Sequence, residues 1–174
     1  KITDAKDGMT GFDFSPDGAW LVYRSGDAGQ EQLFRMPVTA LLVGQAEQIT
    51  SGEAGVEEWS WSPDGSTVYF VRPDAYDGAD YRRRDAGFTV DVRNQVTALS
   101  SLWEVSMGEG TERILEQSEE YSVDNFNVSD DGSWISFTGG SEERYERNIT
   151  GSRLYADQYL LELSSGHVER LTQN

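Results

Sequence analysis

The chain has 174 residues, enough for one sizeable core, and carries 31 acidic against 14 basic side chains for a net charge of −17. That charge argues against non-specific binding to nucleic acid or to an anionic membrane, and no apolar run is long enough to span a bilayer. The absence of cysteine excludes disulfides and thiolate metal sites, and two lysines (Lys1, Lys6) beside many arginines suggest a salt-adapted or high-GC source.

Lys1-Ile2-Thr3 opens the chain and matches Gln48-Ile49-Thr50 and Arg170-Leu171-Thr172 further on. The match reads as the last residues of a preceding strand, as if cut from a longer protein. Phe12 and Phe14 then alternate into Ser15-Pro16-Asp17-Gly18, and Leu21 and Tyr23 alternate out of it. Period two on both sides predicts two strands with one buried face each. Proline presets the first corner, aspartate bonds its own backbone, and glycine takes the positive φ that a bulged hairpin needs. A third strand follows at Leu33-Phe34-Arg35-Met36 and a fourth ends at Ile49.

The same sentence recurs twice. Trp59 and Trp61 lead into Ser62-Pro63-Asp64-Gly65, with Val68 and Phe70 after it, a third strand at Leu102-Trp103-Glu104-Val105 and a fourth ending at Leu115. Phe126 and Val128 lead into Ser129-Asp130-Asp131-Gly132, with Ile135 and Phe137, then Leu160-Leu161-Glu162-Leu163, and an end at Leu171. Four antiparallel strands repeated in register are the blades of a β-propeller, whereas a sandwich or jelly roll would not keep register. The expected fold is therefore all-β, a single partial propeller domain over 1–174. Blade one covers 4–50, blade two 51–117 and blade three 118–174. Three blades do not close a ring of the usual size, so either more chain exists or two copies complete a six-blade ring as a homodimer. Trp59, Trp61 and Trp103 fall on periodic core positions, while Trp20 and Trp134 open second strands and are expected between blades.

Function in repeat proteins sits where the units differ. From turn serine to third-strand leucine the units run 15 to 33, 62 to 102 and 129 to 160. Blades two and three thus carry insertions, about 73–101 and about 139–157, both between second and third strands. That connection emerges on the same face as the blade-to-blade connections, so both insertions crowd one face. The first holds Tyr76, Tyr81, Arg82, Arg83 and Arg84. Three adjacent arginines in an acidic protein form either a fork for carboxylates or a set of counter-charges to Asp80, Asp85 and Asp91. The second holds Glu142, Glu143, Arg144 and Tyr145, where paired glutamates beside an aromatic could hold an α-ammonium group or simply belong to an acidic surface, as Glu57-Glu58 and Glu119-Glu120 do.

No catalytic residue is assigned. There is no G-x-S-x-G elbow, no G-x-x-x-x-G-K phosphate loop, and Asp77-Gly78-Ala79-Asp80 lacks the ligand density of a calcium loop. The one histidine, His167, sits in a turn where exposure is the default and cannot build a histidine metal cluster alone. No cofactor and no metal is expected. Two N-x-S/T sequons occur, at Asn127 in a predicted inner strand and at Asn148, and only a eukaryotic secretory host would make the second matter.

The Phe-x-Phe-Ser-Pro-Asp-Gly and Trp-x-Trp-Ser-Pro-Asp-Gly lead-ins, the third strands and the Ile/Leu-Thr blade ends resemble the WD-like propeller repeats of TolB and of the prolyl oligopeptidase/dipeptidyl peptidase family of serine peptidases. The long insertions, and the stretch from Glu143 to Thr150 running on to Leu154–Leu160, are more similar to the peptidase propellers than to compact TolB blades. That resemblance implies a non-catalytic propeller that gates or docks peptide substrate for an α/β-hydrolase domain, in a periplasmic or secreted serine peptidase. The triad segment of that family is not in this sequence, and Glu57-Glu58 stands too close to Pro63 to match the family's amine-binding pair. The alternative is a TolB-like propeller that binds a protein or peptide through the same face, without catalysis.

Overall fold

A computed structural model of the chain describes residues 8–40, 46–75, 99–141 and 156–173. Lys1-Ile2-Thr3, Arg82 to Arg84 and Glu142 to Tyr145 lie outside the described residues. The strands group as three four-stranded antiparallel sheets, each with its strands in chain order. The first holds β1 (Thr10–Phe14), β2 (Trp20–Ser25), β3 (Gln32–Pro37) and β4 (Glu47–Gln48). The second holds β5 (Glu58–Trp61), β6 (Thr67–Pro73), β7 (Ser100–Ser106) and β8 (Glu112–Glu116). The third holds β9 (Tyr121–Val128), β10 (Trp134–Ser141), β11 (Ala156–Glu162) and β12 (His167–Arg170).

The repeated tetrapeptide builds one hydrogen-bonded device three times. Ser15 Oγ donates to Asp17 Oδ1 at 2.5 Å and accepts from Trp20 N at 2.9 Å, while Gly18 N donates to Ser15 O at 2.8 Å. Ser62 with Asp64 and Thr67 repeats this, and so does Ser129 with Asp131 and Trp134. Gly18, Gly65 and Gly132 sit at φ 70, 72 and 69, the left-handed conformation that only glycine adopts without strain. Asp17, Asp64 and Asp131 are held below the ordinary aspartate value, first by the serine hydroxyl and then by backbone N–H groups.

Alternation along each strand then sorts side chains onto the two faces, and neighbouring sheets meet face to face. Val22, Leu33 and Ile49 of the first sheet pack with Trp61, Val68, Phe70 and Val105 of the second. Tyr69, Val71 and Leu102 from the opposite face of the second sheet pack with Val123, Phe126, Ile135, Phe137 and Leu161 of the third. Most of these side chains are fully buried, and each contributes about 1.5–3 kcal/mol relative to exposure. Trp20, Trp59 and Trp103 are partly buried against the first core, so Trp20 lies between sheets as its position implies. Trp134 is half-buried and belongs to neither core cluster.

Two expectations need correction. The innermost strand β1 has no buried face: Phe12 and Phe14 are 66% and 49% exposed. Their counterparts Trp59 and Trp61, Phe126 and Val128 each meet a preceding sheet, and among the described residues nothing equivalent stands before β1. In the third sheet, Tyr159 lies opposite Phe137 as Phe34 lies opposite Tyr23. The structural equivalent of Leu33 is therefore Gln158, not Leu160, and the connection before it is two residues shorter than the leucines suggest.

Candidate functional site

One end of the sheets collects the connections from second to third strands together with those leading from sheet to sheet. The link between β4 and β5 runs back over the β2–β3 loop: Gly55 N donates to Gly29 O at 3.0 Å and Val56 N to Glu31 O at 2.7 Å. The approach leaves no room for a side chain at Gly55, where a Cβ would stand 2.7 Å from Glu31 N. Gln32 Nε2 donates to Ala54 O at 3.1 Å, and Arg24 donates to the carbonyls of Val56 and Glu57 at 2.9 and 2.8 Å. The β4–β5 link and the β2–β3 loop are thus held to each other through backbone groups.

Both long connections leave this end of the sheets from closed bases. Below the first, Asp74 N donates to Leu99 O at 2.8 Å, and Ser101 Oγ donates to both carboxylate oxygens of Asp74 at 2.7 and 2.9 Å. Below the second, β10 and β11 stay paired to Gly140 and Ala156. Gly139 is required there: a Cβ would stand 2.9 Å from Tyr159 Cδ2 and 3.1 Å from Tyr121 Cδ2, in the space of the stack those two rings form at 4.4 Å. Tyr121 in turn donates to Glu116 Oε1 at 2.5 Å, and burial together with that carboxylate pushes its phenol well above the ordinary tyrosine value. Asp157 accepts from Thr172 Oγ1 at 2.9 Å and pairs with Arg170.

The threonine after the first and third blade ends has a job that spacing alone did not disclose. Thr50 Oγ1 accepts from Leu33 N and donates to Gln32, both at 2.9 Å, and Thr172 Oγ1 accepts from Gln158 N and donates to Asp157, both at 2.9 Å. Each threonine clips the outer strand to the start of the third strand, where the connection arrives. The signal was present as the recurrent Ile/Leu-Thr pair. Sequence reasoning had no signal for Arg72, which lies against the Trp103 ring at 3.8 Å, pairs with Glu112 at 2.8 Å and donates to Ser51 O at 2.7 Å. Glu112 also accepts from Ser51 N at 2.7 Å, so the exit of the first sheet is locked to the second.

Two glutamates at this end are shifted in opposite directions. Glu31 is held below the ordinary glutamate value by its own and Gly29's backbone N–H and by the Arg24 charge. Glu58 is pushed up by burial, against which the N–H groups of Asn125 and Phe126 act. Among the described residues no group of three His, Asp or Glu side chains is placed to hold a metal ion, and His167 is exposed at the start of β12. The Arg82–Arg84 run and the Glu142–Tyr145 segment belong to the connections that leave these two bases.

No family model matches the chain. An uncharacterized protein of Agrobacterium fabrum is 33% identical over 118 residues, which is 64% of this chain and 36% of that protein. A putative TolB from Agrobacterium tumefaciens superposes with a TM-score of 0.57 at 20% identity, covering 94% of this chain and 46% of that one. A prolyl endopeptidase structure superposes with a TM-score of 0.62 at 11% identity, over 96% of this chain and 22% of that one. The chain therefore spans about a third of the curated relative and less than half of the TolB chain. No helix among the described residues is long and apolar enough to cross a membrane. Sheet order, face-to-face packing and these superpositions agree on one architecture: three consecutive sheets of a TolB-like β-propeller.

Proposed function

We propose that this chain is part of a binding propeller, acting outside the cytoplasm, which recognises a protein or peptide through the face that carries the two long connections. The observation that carries this reading is the pair of closed bases on one face, Asp74 with Leu99 and Ser101, and Asp157 with Thr172 and Arg170. A binding loop on a fixed scaffold can vary in sequence without disturbing the fold, which is how propellers carry recognition. In this reading Arg82, Arg83 and Arg84 supply planar donors for carboxylates of the partner. Glu142, Glu143, Arg144 and Tyr145 contribute acceptors and an aromatic from the neighbouring connection.

A photo-crosslinking residue placed at Ala75, beside the first base, should trap a partner, while the same residue at Ser66, in the turn at the opposite end of β6, should not. Equal trapping at both positions would reject the face assignment. A second reading is supported by the superposition on a prolyl endopeptidase: the same face would dock or gate a hydrolase domain and its peptide substrate. A fluorophosphonate probe on the parent protein separates the two. Labelling of a serine outside this chain supports the peptidase; no labelling of folded protein leaves the binding propeller.

A further inference from the structure

The third sheet turns one face to the second sheet and the other away from it. Ile135, Phe137, Leu161 and Val168 pack toward the second sheet, so alternation turns the residues between them outward. Cross-strand pairing sets those outward residues in rows. Trp134, Glu162 and His167 form the row nearest the turns, and Ser136, Leu160 and Glu169 form the next. Trp134 and Glu162 are half-buried, while His167 and Glu169 are exposed. Ser165 Oγ anchors the Glu162 carboxylate at 2.5 Å. Where the first two sheets place the fully buried Leu33 and Leu102, the third has the exposed Gln158. An apolar cover would desolvate these polar groups at a cost, whereas a polar one can answer them.

The first sheet shows what the same position takes when it is covered. Trp20 opens β2 as Trp134 opens β10. The Arg35 guanidinium lies over the Trp20 ring at 5.0 Å, pairs with Glu47 at 2.9 Å and donates across the junction to Met107 O of the second sheet. The third sheet repeats the ring and a carboxylate but not the cation. Arg35 stands opposite Val22, and the matching pair is Leu160 opposite Ser136. Arg170, the one cation of β9–β12 among the described residues, pairs with Asp157. We propose that this face docks a protein strand or sheet that presents arginines at alternate positions, one guanidinium seating on Trp134 against Glu162 and the next reaching Glu169.

Spacing and charge select that occupant. Glu162 and Glu169 are diagonal neighbours on adjacent strands, roughly 7–8 Å apart at their Cα atoms. Alternate side chains of one strand stand about 7 Å apart, so two arginines on such a strand reach both carboxylates. Arginine suits the site better than lysine, because its planar head stacks on an indole while its N–H groups fork onto a carboxylate. A second copy of this chain fits poorly. Its described arginines are already engaged within the chain, Arg24 on carbonyls and Arg35, Arg72, Arg113 and Arg170 on carboxylates.

The test uses the whole chain with three probes: the peptide acetyl-Arg-Thr-Arg-amide and its lysine and glutamate counterparts. Nitrogen-15 NMR follows the indole N–H signals of the tryptophans. The arginine peptide should shift the Trp134 signal saturably and more strongly than the lysine peptide. Trp20, whose ring already carries Arg35, should stay in place, and the glutamate peptide should move neither. Glu162→Gln and Trp134→Leu should each weaken binding about two- to fivefold. A silent Trp134 signal in the unmodified chain would overturn the proposal, whether or not the variants fold. So would shifts of equal size at Glu47 and Glu104, which would make the binding a general response to acidic charge. A Trp134 shift on raising protein concentration alone would give the face to a second copy and overturn it as well.

Discussion

Pro16 packs its ring against Gly65, the glycine of the next turn in the chain: a Cβ built on Gly65 would stand 3.3 Å from Pro16 Cδ. Pro63 stands in the same relation to Gly132, 3.5 Å from the position its Cβ would take. The repeated tetrapeptide therefore does two things. Its serine and aspartate close each hairpin, and its proline and glycine stack one turn on the next. In the third turn Asp130 occupies the proline position.

A substitution series separates these roles. Gly18→Ala meets no atom within 4 Å and should cost only the left-handed backbone penalty of about 1–2 kcal/mol. Gly65→Ala has the same φ but also presses on Pro16, so its urea midpoint should fall further than that of Gly18→Ala. Combining Gly65→Ala with Pro16→Ala should recover the excess loss, because the proline ring is what the new methyl meets. Equal midpoints for the two single variants would remove the stacking argument.

Arg72 and Glu112 join the first and second sheets in a site where their side chains are only 12% and 15% exposed. Removing one charge leaves the other buried without its partner, so Glu112→Gln should cost about 2–4 kcal/mol. Arg72→Lys should not be conservative, since lysine lacks the planar fork that lies on Trp103 while reaching Ser51 O and Glu112. Chemical denaturation of the single and double variants measures the coupling; additive losses would show that the pair does not act together.

The turn aspartates fix the acid limb of stability. Asp17, Asp64 and Asp131 all bind protons less readily in the folded chain than their ordinary value of 3.8. Their contribution is complete above that value and is lost as pH falls through the lower folded values. The thermal midpoint should therefore fall modestly below about pH 4. Ser62→Ala removes the donor that acts most strongly on Asp64, and should flatten the drop. A variant with an unchanged acid limb would count against these turns as its source.

Much of the fold was legible because its signals are local. Alternation with period two, a proline-aspartate-glycine corner and a recurrent Ile/Leu-Thr end all report backbone geometry within a few residues. The register of the third sheet was not, because Leu160-Leu161-Glu162-Leu163 imitates the Leu33–Met36 pattern while cross-strand pairing selects Gln158. Arg72, Glu58 and the stacked prolines were hidden for a different reason. Each acts between sheets, across sequence distances that no periodicity encodes. The exposure of Phe12 and Phe14 has the same origin, since their pattern matches that of buried residues and only the neighbour differs.

That asymmetry bears on a ring made of two copies. Head-to-tail closure would seat the outer face of the third sheet on the outer face of the first. On the first, Phe14 is 49% exposed, while Leu21 opposite it and Tyr23 are already buried. The third offers Ser136, Thr138, Gln158 and Leu160, with Gln158 Nε2 already donating to Thr138 Oγ1 at 3.0 Å. Positions equivalent to Ser136 and Gln158 are Val22 and Leu33 in the first sheet, where they build the core. Burying polar side chains against aromatic rings without partners is unfavourable. The chain alone should therefore run as a monomer by light scattering. A stable dimer that Thr138→Glu dissociates would show that the ring closes after all.

The binding face makes the last prediction, because its base and its loop can be separated. Asp74 N to Leu99 O closes the first base at 2.8 Å, and Ser101 holds the Asp74 carboxylate from the third strand. Replacing residues 77–97 by a short glycine-serine turn should then leave the pairing of β6 with β7 intact by amide exchange. The thermal midpoint should also hold, since closing a shorter loop carries a smaller entropic cost. Partner capture at Ala75 should nevertheless be lost, and changing Arg82, Arg83 and Arg84 together to alanine should weaken it by the same route. Asp74→Ala is the complement: it keeps the loop and its arginines but frees Ser101, and should lower capture through a misplaced base. Shortened protein that folds and still captures its partner would move recognition away from this connection and onto the framework beneath it.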